Sequence, residues 1–178
     1  MFRHKKKEFE NISLSSVQKK IYNIVFLSFF MDLFEYKKKR KFEKTTESKT
    51  RKRNSKKSIY VIQKHSASHL HYDLRLEFDG VLKSWAIPKL PPKRKGLKRL
   101  AIQVEDHPLG YEKFNGIIPE GNYGAGKVEI WDGGTFSVVE KEKNTIVVDI
   151  KGEKLNGEYC LVRTKFQGKK NNWIFFKR

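Results

Sequence analysis

The residues from Ser68 to Phe78 alternate between polar and apolar side chains. Successive side chains of an extended strand point to opposite faces, so this alternation predicts a β-strand with one buried face. The second face carries imidazole and charged groups at every other position. These residues are His69, His71, Asp73, Arg75 and Glu77.

Short alternating runs separated by turn residues continue to the end of the chain. Asp79-Gly80, Gly133-Gly134 and Asn156-Gly157 are predicted turns, because glycine adopts positive φ at low cost. The pattern predicts a mainly β fold, a small closed antiparallel β-barrel with about eight strands, since closure removes the sheet edges. The polar face of residues 69–77 would then point into the barrel mouth. The candidate strands are Ile59–Lys64, His69–Phe78, Val81–Ile87, Arg99–Val104, Lys127–Trp131, Thr135–Val139, Thr145–Ile150, Glu158–Thr164 and Asn172–Lys177.

The pattern before Ser58 is different. Residues 1–35 predict an N-terminal helical extension that begins near Ser15 or Ser16, whose hydroxyls can cap a first turn. The apolar run 21–34 is shorter than the roughly 18 residues that a membrane span needs, so no stable span is expected. A helix lying on a membrane surface is the alternative. Residues 36–57 form a basic linker or arm, and residues 58–178 form the barrel domain.

The charge of the chain is strongly positive, with 39 Lys and Arg against 20 Asp and Glu and a formal net charge of +19. Residues 36–57 alone hold 12 basic and 2 acidic side chains. Such an excess indicates a polyanionic partner. The single cysteine, Cys160, falls in an apolar run and is predicted to be a core residue. One cysteine excludes an internal disulfide and fits a cytoplasmic protein.

The polar face of the strand predicted for residues 68–78 carries potential ligands for a divalent ion. Two imidazoles and a carboxylate are typical metal ligands, and an arginine next in line suits an anion that the ion also touches. An ordinary solvated strand face is the alternative, although such faces favour Lys, Glu and Thr. Four of the five histidines lie in two short blocks, residues 63–71 and 105–108.

The glycine-rich stretch Ile118–Gly126 precedes a predicted strand. It lacks the Walker spacing and the strand-to-helix setting of a dinucleotide loop. Two interpretations therefore stay open. The loop either cradles phosphate or forms a turn that lets main chain approach the pocket as a wall.

Six blocks together resemble the 3′-phosphoesterase domain of bacterial DNA ligase D and its stand-alone relatives, in the family's order and over roughly residues 36–178. They are Gln63–His65, His69–Glu77, Leu82–Lys89, Lys98–Leu109, Ile118–Gly126 and Trp131-Asp132. The resemblance implies a β-barrel hydrolase that acts as a metal-dependent 3′-phosphodiesterase and 3′-phosphomonoesterase. It implies manganese as cofactor and DNA 3′ ends as substrate, including ends with ribonucleotides. The product would be a 3′-hydroxyl for repair by a separate ligase, polymerase or Ku-like protein in non-homologous end joining.

The resemblance also assigns residues. His65, His71 and Asp73 would bind the metal, and His107, Arg75, Glu105 and Tyr111 would serve catalysis. Phosphate binding would fall to Arg75, Arg99, Lys89 and His107, together with Arg40 in the basic arm. In the family, an acidic residue is usual where this chain has Lys41, and a proline is usual where it has Ser48. His69 is predicted to stay outside the metal's ligands, and Trp85 and Trp131 are predicted core aromatics rather than base-stacking platforms.

Two other functions remain compatible with the sequence. A metal-dependent nuclease with internal cleavage would share the ion and the basic arm. A non-catalytic nucleic-acid-binding module would share the charge alone. End-labelled substrates separate the three, since an end-healing enzyme changes only the last linkage or phosphate.

Overall fold

A computed structural model describes residues 58–165, 168 and 170–178. The predicted helical extension, the basic arm and Arg40 lie outside these residues. Within them the structure contains the 3-10 turn Tyr111–Lys113 and no α-helix. No helix in this part of the chain is long and apolar enough to cross a membrane. The strands are β1 Ser58–Ser66, β2 Leu70–Phe78, β3 Val81–Ile87, β4 Lys98–Pro108, β5 Gly116–Ile118, β6 Gly126–Lys141, β7 Thr145–Gly152, β8 Asn156–Arg163 and β9 Asn172–Lys177.

The sheet closes into a barrel of eight antiparallel strands, as the sequence predicted. Its order is β1-β2-β3-β4-β9-β8-β7-β6, and β6 pairs back onto β1. Strand β6 is long enough to pair with β1 over residues 127–136 and with β7 over residues 134–141. The ninth strand, β5, pairs with the start of β6 and lies outside the closed ring.

One apolar cluster fills the barrel interior, with members from all eight barrel strands. Tyr60, Leu74, Trp85 and Phe175 are among its fully buried side chains. Trp131 packs against the edge of this cluster. Trp85 is therefore a core aromatic, as predicted, whereas Trp131 is only partly buried; Cys160 is buried as well.

The polar face of β2 points outward, not into the barrel mouth, so that prediction was wrong. Tyr72, Leu74 and Leu76 belong to the interior cluster, and the alternating positions must face the other way. The outer face is nevertheless not open to water. A second apolar cluster, made by Leu82, Leu109, Tyr111, Phe114, Ile118 and Val128, brings residues 109–118 over it. Asp73 and Arg75 of the polar row are buried between the sheet and this cover, whereas His69 at the start of the row is exposed.

The turn predictions were partly right. Asp79 and Gly80 have φ of 53° and 82° and connect β2 to β3, as predicted. Gly133-Gly134 and Asn156-Gly157 instead lie inside β6 and β8, so the two strands predicted on either side of Gly133 are one. A Cβ at Gly134 would lie 2.1 Å from the carbonyl oxygen of Lys151, so this glycine lets β6 and β7 approach closely.

The β7–β8 connection is organised by the buried carboxylate of Asp132. It accepts hydrogen bonds from the Tyr60 hydroxyl at 2.8 Å and from the main-chain N–H groups of residues 153, 154 and 155. The Trp131-Asp132 block therefore has a structural role, because it ties the turn to the barrel interior.

Candidate metal and phosphate site

The β1–β2 hairpin brings His65, His71 and Asp73 together. His65 pairs with His71 and Gln63 pairs with Asp73, and residues opposite one another on antiparallel strands share a face. One potential ligand atom from each of the three lies within 4.8 Å of the others. His65 Nδ1 is 3.5 Å from Asp73 Oδ2, and His71 Nε2 is 3.7 Å from Asp73 Oδ1. The structure thus groups the three predicted metal ligands.

Main-chain carbonyls orient both imidazoles toward the aspartate. His65 Nε2 lies 2.9 Å from the carbonyl oxygen of Gly124, and His71 Nδ1 lies 2.9 Å from that of His69. A carbonyl oxygen can only accept, so each of these nitrogens carries a hydrogen, and in a neutral imidazole the other nitrogen has a lone pair available for a metal ion. Such hydrogen bonds are typical of metal-binding histidines. His69 contributes its main chain and stays outside the cluster, as predicted.

Asp73 remains a carboxylate in this setting. Burial would raise its pKa, but the Arg75 guanidinium and the two nearby imidazoles outweigh burial, and the pKa is lowered well below its usual range. Two imidazole nitrogens and one carboxylate oxygen fit a divalent transition metal and leave coordination positions for water or phosphate oxygen. The residues present therefore fit a metal-dependent domain.

Arg75 connects the metal cluster to His107. Its guanidinium is almost fully buried and donates to Asp73 Oδ2 at 3.1 Å, to Gln63 Oε1 at 2.7 Å and to Ser84 Oγ at 2.8 Å. A further contact of 2.9 Å joins its Nη1 to His107 Nδ1. These contacts engage four of the five guanidinium hydrogens. Arg75 is thus the centre of a buried polar network.

The network brings both a donor and an acceptor to Nδ1 of His107. Ser84 donates its one hydroxyl hydrogen to the Leu82 carbonyl, so its oxygen accepts from Arg75. Donation from Arg75 to His107 Nδ1 requires a lone pair on that nitrogen and, in the neutral ring, a hydrogen on Nε2. The carbonyl of Glu105, 3.0 Å from the same Nδ1, can only accept and favours a hydrogen there. The two contacts of Nδ1 therefore favour opposite tautomers of neutral His107.

Tyr111 lies over this network. Its ring centroid is 4.8 Å from the Arg75 guanidinium carbon and 4.8 Å from the His107 ring centroid. Its main-chain carbonyl accepts from Gln63 Nε2 at 3.1 Å, and the carbonyl of Phe114 accepts from the same nitrogen at 2.9 Å. Gln63 therefore links the covering segment 109–118 to Arg75 by hydrogen bonds.

Sequence reasoning missed Gln63 and Ser84 as parts of the site. Gln63 shares its strand face with His65, and this two-residue spacing was the available signal. Ser84 gave no such signal, because its place opposite Arg75 follows from the β2–β3 register.

The structure does not bring Arg99 into this cluster. Arg99 lies opposite Phe175, an interior residue, and therefore on the other face of β4. Its guanidinium donates to the carbonyls of Leu90 and Lys98. Lys89 is exposed two positions after β3, at the end of the barrel where His71 lies. The main-chain carbonyl of Glu105 lies 3.0 Å from His107 Nδ1.

The glycine-rich loop forms a wall of the metal cluster through the carbonyl of Gly124. Its last glycine, Gly126, has a φ of 142°, and a Cβ there would lie 2.2 Å from the carbonyl oxygen of Ser66. The loop and the end of β1 therefore approach at main-chain distance. This geometry agrees with the wall-forming interpretation of the loop.

We expect Gly126→Ala to destabilise the fold by about 1–3 kcal/mol and to weaken metal binding, because Ser66 must move and His65 is its neighbour. Thermal unfolding and calorimetric titration with Mn²⁺ measure the two effects. Gly121→Ala is the matched control, since its φ is 81° but a Cβ there meets nothing within 4 Å. Equal losses in both variants would show that backbone strain, not the contact with Ser66, decides the outcome.

Comparison with known proteins identifies the family of this barrel and its outward-facing site. Residues 63–163 match the family model described as the DNA ligase D 3′-phosphoesterase domain. The matched range contains His65, His71, Asp73, Arg75 and His107. The chain belongs to this family.

Individual relatives support the same family membership. The chain is 48% identical over 153 residues to the multifunctional non-homologous end joining protein LigD of Pseudomonas aeruginosa, an alignment that covers 82% of this chain and 18% of that protein. It is 48% identical over 111 residues to the LigD protein of Mycobacterium tuberculosis, an alignment that covers 60% of this chain and 15% of that protein. The chain thus spans less than a fifth of the length of these relatives.

Proposed function

We propose that this protein is a manganese-dependent phosphoesterase that heals DNA 3′ ends. It would remove 3′-terminal ribonucleosides and 3′-phosphates and leave 3′-hydroxyls for non-homologous end joining. The observation that carries the proposal is the single buried network from His65, His71 and Asp73 through Arg75 to His107. Membership in the DNA ligase D phosphoesterase family supports the same substrate class.

In this proposal His65, His71 and Asp73 hold the ion. A bound divalent ion polarises the phosphate and lowers the pKa of a bound water. A mixed imidazole and carboxylate set suits manganese better than an all-thiolate or all-oxygen set would. Comparison of Mn²⁺, Mg²⁺, Co²⁺ and Zn²⁺ in calorimetric titrations and in turnover tests the choice of metal.

His107 and Arg75 would act on the phosphate side. The Nε2–H of neutral His107 would donate to the oxygen that gains negative charge as the ester bond breaks. Arg75 would keep His107 in that tautomer and offer its remaining N–H to a phosphate oxygen. Tyr111 would fix both groups from above, and the Glu105 carbonyl would limit rotation of the imidazole.

In this proposal the other residues predicted to bind phosphate, Lys89, Arg99 and Arg40, contact the DNA outside the buried network. Lys89 would attract the DNA strand from the exposed end of the barrel next to His71. Arg99, bound to main-chain carbonyls on the other face of β4, would contact the strand away from the scissile phosphate. Arg40 would reach the phosphate from the arm. Residues 58–178 would form the catalytic domain and act in the cytoplasm beside a separate ligase, polymerase or Ku-like protein.

A single assay tests the function. Two 5′-labelled primer-templates, one ending in a ribonucleotide and one in a 3′-phosphate, are incubated with and without Mn²⁺. We expect manganese-dependent products changed only at the last linkage or phosphate. A ladder of internal fragments would identify a nuclease, and binding without any product would identify a non-catalytic module; either result would overturn the proposal.

We expect the basic arm to carry much of the non-specific DNA affinity. Each neutralised phosphate contributes a slope of about −0.9 to log K against log salt on duplex DNA. Changing Lys49, Arg51, Lys52 and Arg53 to glutamine should therefore flatten the slope, whereas deleting residues 1–35 should not. Fluorescence anisotropy at several salt concentrations gives both slopes. Equal slopes would place the electrostatic contacts on the barrel instead.

A further inference from the structure

The β3–β4 connection is strongly basic and begins beside the metal cluster. Residues 88–99 contain six basic side chains and no acidic one. The connection follows Ile87, which pairs with Tyr72, the neighbour of His71 on β2. Five of the six basic residues are exposed, namely Lys89, Lys93, Arg94, Lys95 and Lys98. The end of the barrel that holds the metal ligands therefore also carries a group of exposed cations.

Contacts with the barrel hold this connection in place. Pro91 and Pro92 are buried, and the Arg99 guanidinium donates to the carbonyl of Leu90 at 2.8 Å. Lys93 Nζ lies 5.5 Å from the centroid of the Trp131 ring, which packs against the interior cluster. The exposed cations are therefore kept close to one another, although like charges repel. A polyanion bound at this surface would relieve the repulsion.

The β7–β8 connection brings a further lysine to the same aromatic ring. Lys154 Nζ lies 5.7 Å from the Trp131 centroid, and the Asp132 carboxylate fixes this turn by accepting from the N–H groups of residues 153–155. The Trp131 ring is also in edge contact with Tyr72 of β2, at 5.6 Å between centroids. Trp131 thus supports two lysines from separate connections beside the strand that carries His71 and Asp73.

Exposed apolar side chains lie at the same end of the barrel. Leu70, one position before His71, is 49% exposed, and Leu90 in the basic connection is 47% exposed. Tyr123 is 54% exposed and precedes Gly124, whose carbonyl lies 2.9 Å from Nε2 of the metal-site histidine at position 65. Surfaces that bind single-stranded nucleic acid combine cations for the backbone with aromatic side chains for the bases. The connections at this end, residues 67–69, 88–97, 119–125 and 153–155, contain two acidic residues, Glu120 and Glu153.

We propose that this end of the barrel binds a short single-stranded segment of the DNA end. Lys93, Arg94 and Lys154 would contact its phosphates, and Tyr123 would stack on a base. Duplex DNA keeps its base faces within the helical stack, so an exposed tyrosine finds a base only where the strands are unpaired. The proposal rests on the function proposed above for its substrate, and it adds which part of the DNA is held and by which surface.

Binding without metal tests the base contact independently of turnover. The full chain in EDTA is titrated with fluorescein-labelled oligo-dT of about 12 nucleotides, an abasic strand of the same length and a blunt duplex, all with 3′-hydroxyl ends. We expect Tyr123→Ala to weaken oligo-dT binding at least about fivefold and binding of the other two probes by less than about twofold. Val139→Ala, an exposed apolar residue near the other end of β6, is the matched control. Equal loss for oligo-dT and the abasic strand, or no loss for oligo-dT, would overturn the base contact.

Salt dependence tests the two lysines in a protein that keeps Tyr123. Each phosphate contact on a single strand contributes about −0.7 to the slope of log K against log salt, so Lys93→Gln combined with Lys154→Gln should flatten the slope for oligo-dT by about 1.4. Lys143→Gln combined with Lys165→Gln is the matched control, because both lysines are exposed in connections at the opposite end of the barrel. Thermal unfolding checks that each variant is folded. The same slope in both double variants would refute the phosphate contacts.

The unpaired segment can belong to the strand that is processed or to the complementary strand. The EDTA titration of Tyr123→Ala is repeated with a 3′-tailed duplex and with a duplex whose complementary strand has a 5′ tail. Loss confined to the 3′-tailed duplex assigns the processed strand, and loss confined to the 5′-tailed duplex assigns the complementary strand. Either result supports the proposal, and an equal loss on the blunt duplex contradicts it. Absence of manganese-dependent turnover would overturn the proposed function without changing these affinities, so the two failures are distinguishable.

Discussion

Replacing Asp73 with alanine is expected to abolish manganese binding and to lower turnover on a 3′-phosphate end by more than about 100-fold. Asp73 lies within 4 Å of a ring nitrogen of both histidines and supplies the only negative charge of the three-residue cluster. Loss of a group that merely orients a metal ligand already costs about 10- to 100-fold, so loss of a ligand should cost more. Calorimetric titration with Mn²⁺ and the primer-template assay measure the two effects.

The fold should survive this change. Without Asp73, the Arg75 guanidinium still donates to Gln63, Ser84 and His107. Far-ultraviolet circular dichroism and thermal unfolding check this point. Asp149→Ala is the matched control, because Asp149 pairs with Lys151 on β7, outside the cluster. Unchanged manganese affinity in a folded Asp73→Ala protein would count decisively against the proposed metal centre.

Replacing Arg75 with alanine is expected to lower the free energy of unfolding by about 3–5 kcal/mol, because it leaves buried polar groups without their common partner. Turnover should fall together with stability, since His107 loses its contact with Arg75. Manganese affinity should be retained or rise, because a positive charge 3.1 Å from Asp73 Oδ2 is removed. Urea unfolding, turnover and titration with Mn²⁺ are measured on the same preparation.

Two further variants keep this prediction testable. Arg75→Lys retains the charge but cannot make the forked contacts to Gln63, Ser84 and His107, so it should fold and yet lose turnover. Arg94→Ala removes an exposed arginine and should change neither property. Loss of manganese binding in folded Arg75→Lys would mean that Arg75 supports the metal ligands rather than the phosphate.

The sequence alone predicted the barrel and one row of the candidate metal site. Alternation along β2 indicated which side chains share a face, and two-residue spacing placed His71, Asp73 and Arg75 in one row, whereas His65 was assigned from the family resemblance. The short strands and turn residues favoured a closed antiparallel sheet. These properties are local, so the order of residues along the chain was sufficient to predict them.

The tertiary structure decided which side of the barrel carries the site. Alternation shows that two faces differ but not which one is interior, and the face with Tyr72, Leu74 and Leu76 fills the barrel. The polar row therefore lies outside, and only the folded chain shows that residues 109–118 cover it. The contact of Arg75 with His107 depends likewise on the β2–β3–β4 register, which includes a bulge between Leu82 and Ser84. Register and covering segments arise from long-range packing, and no local pattern in the sequence specifies them.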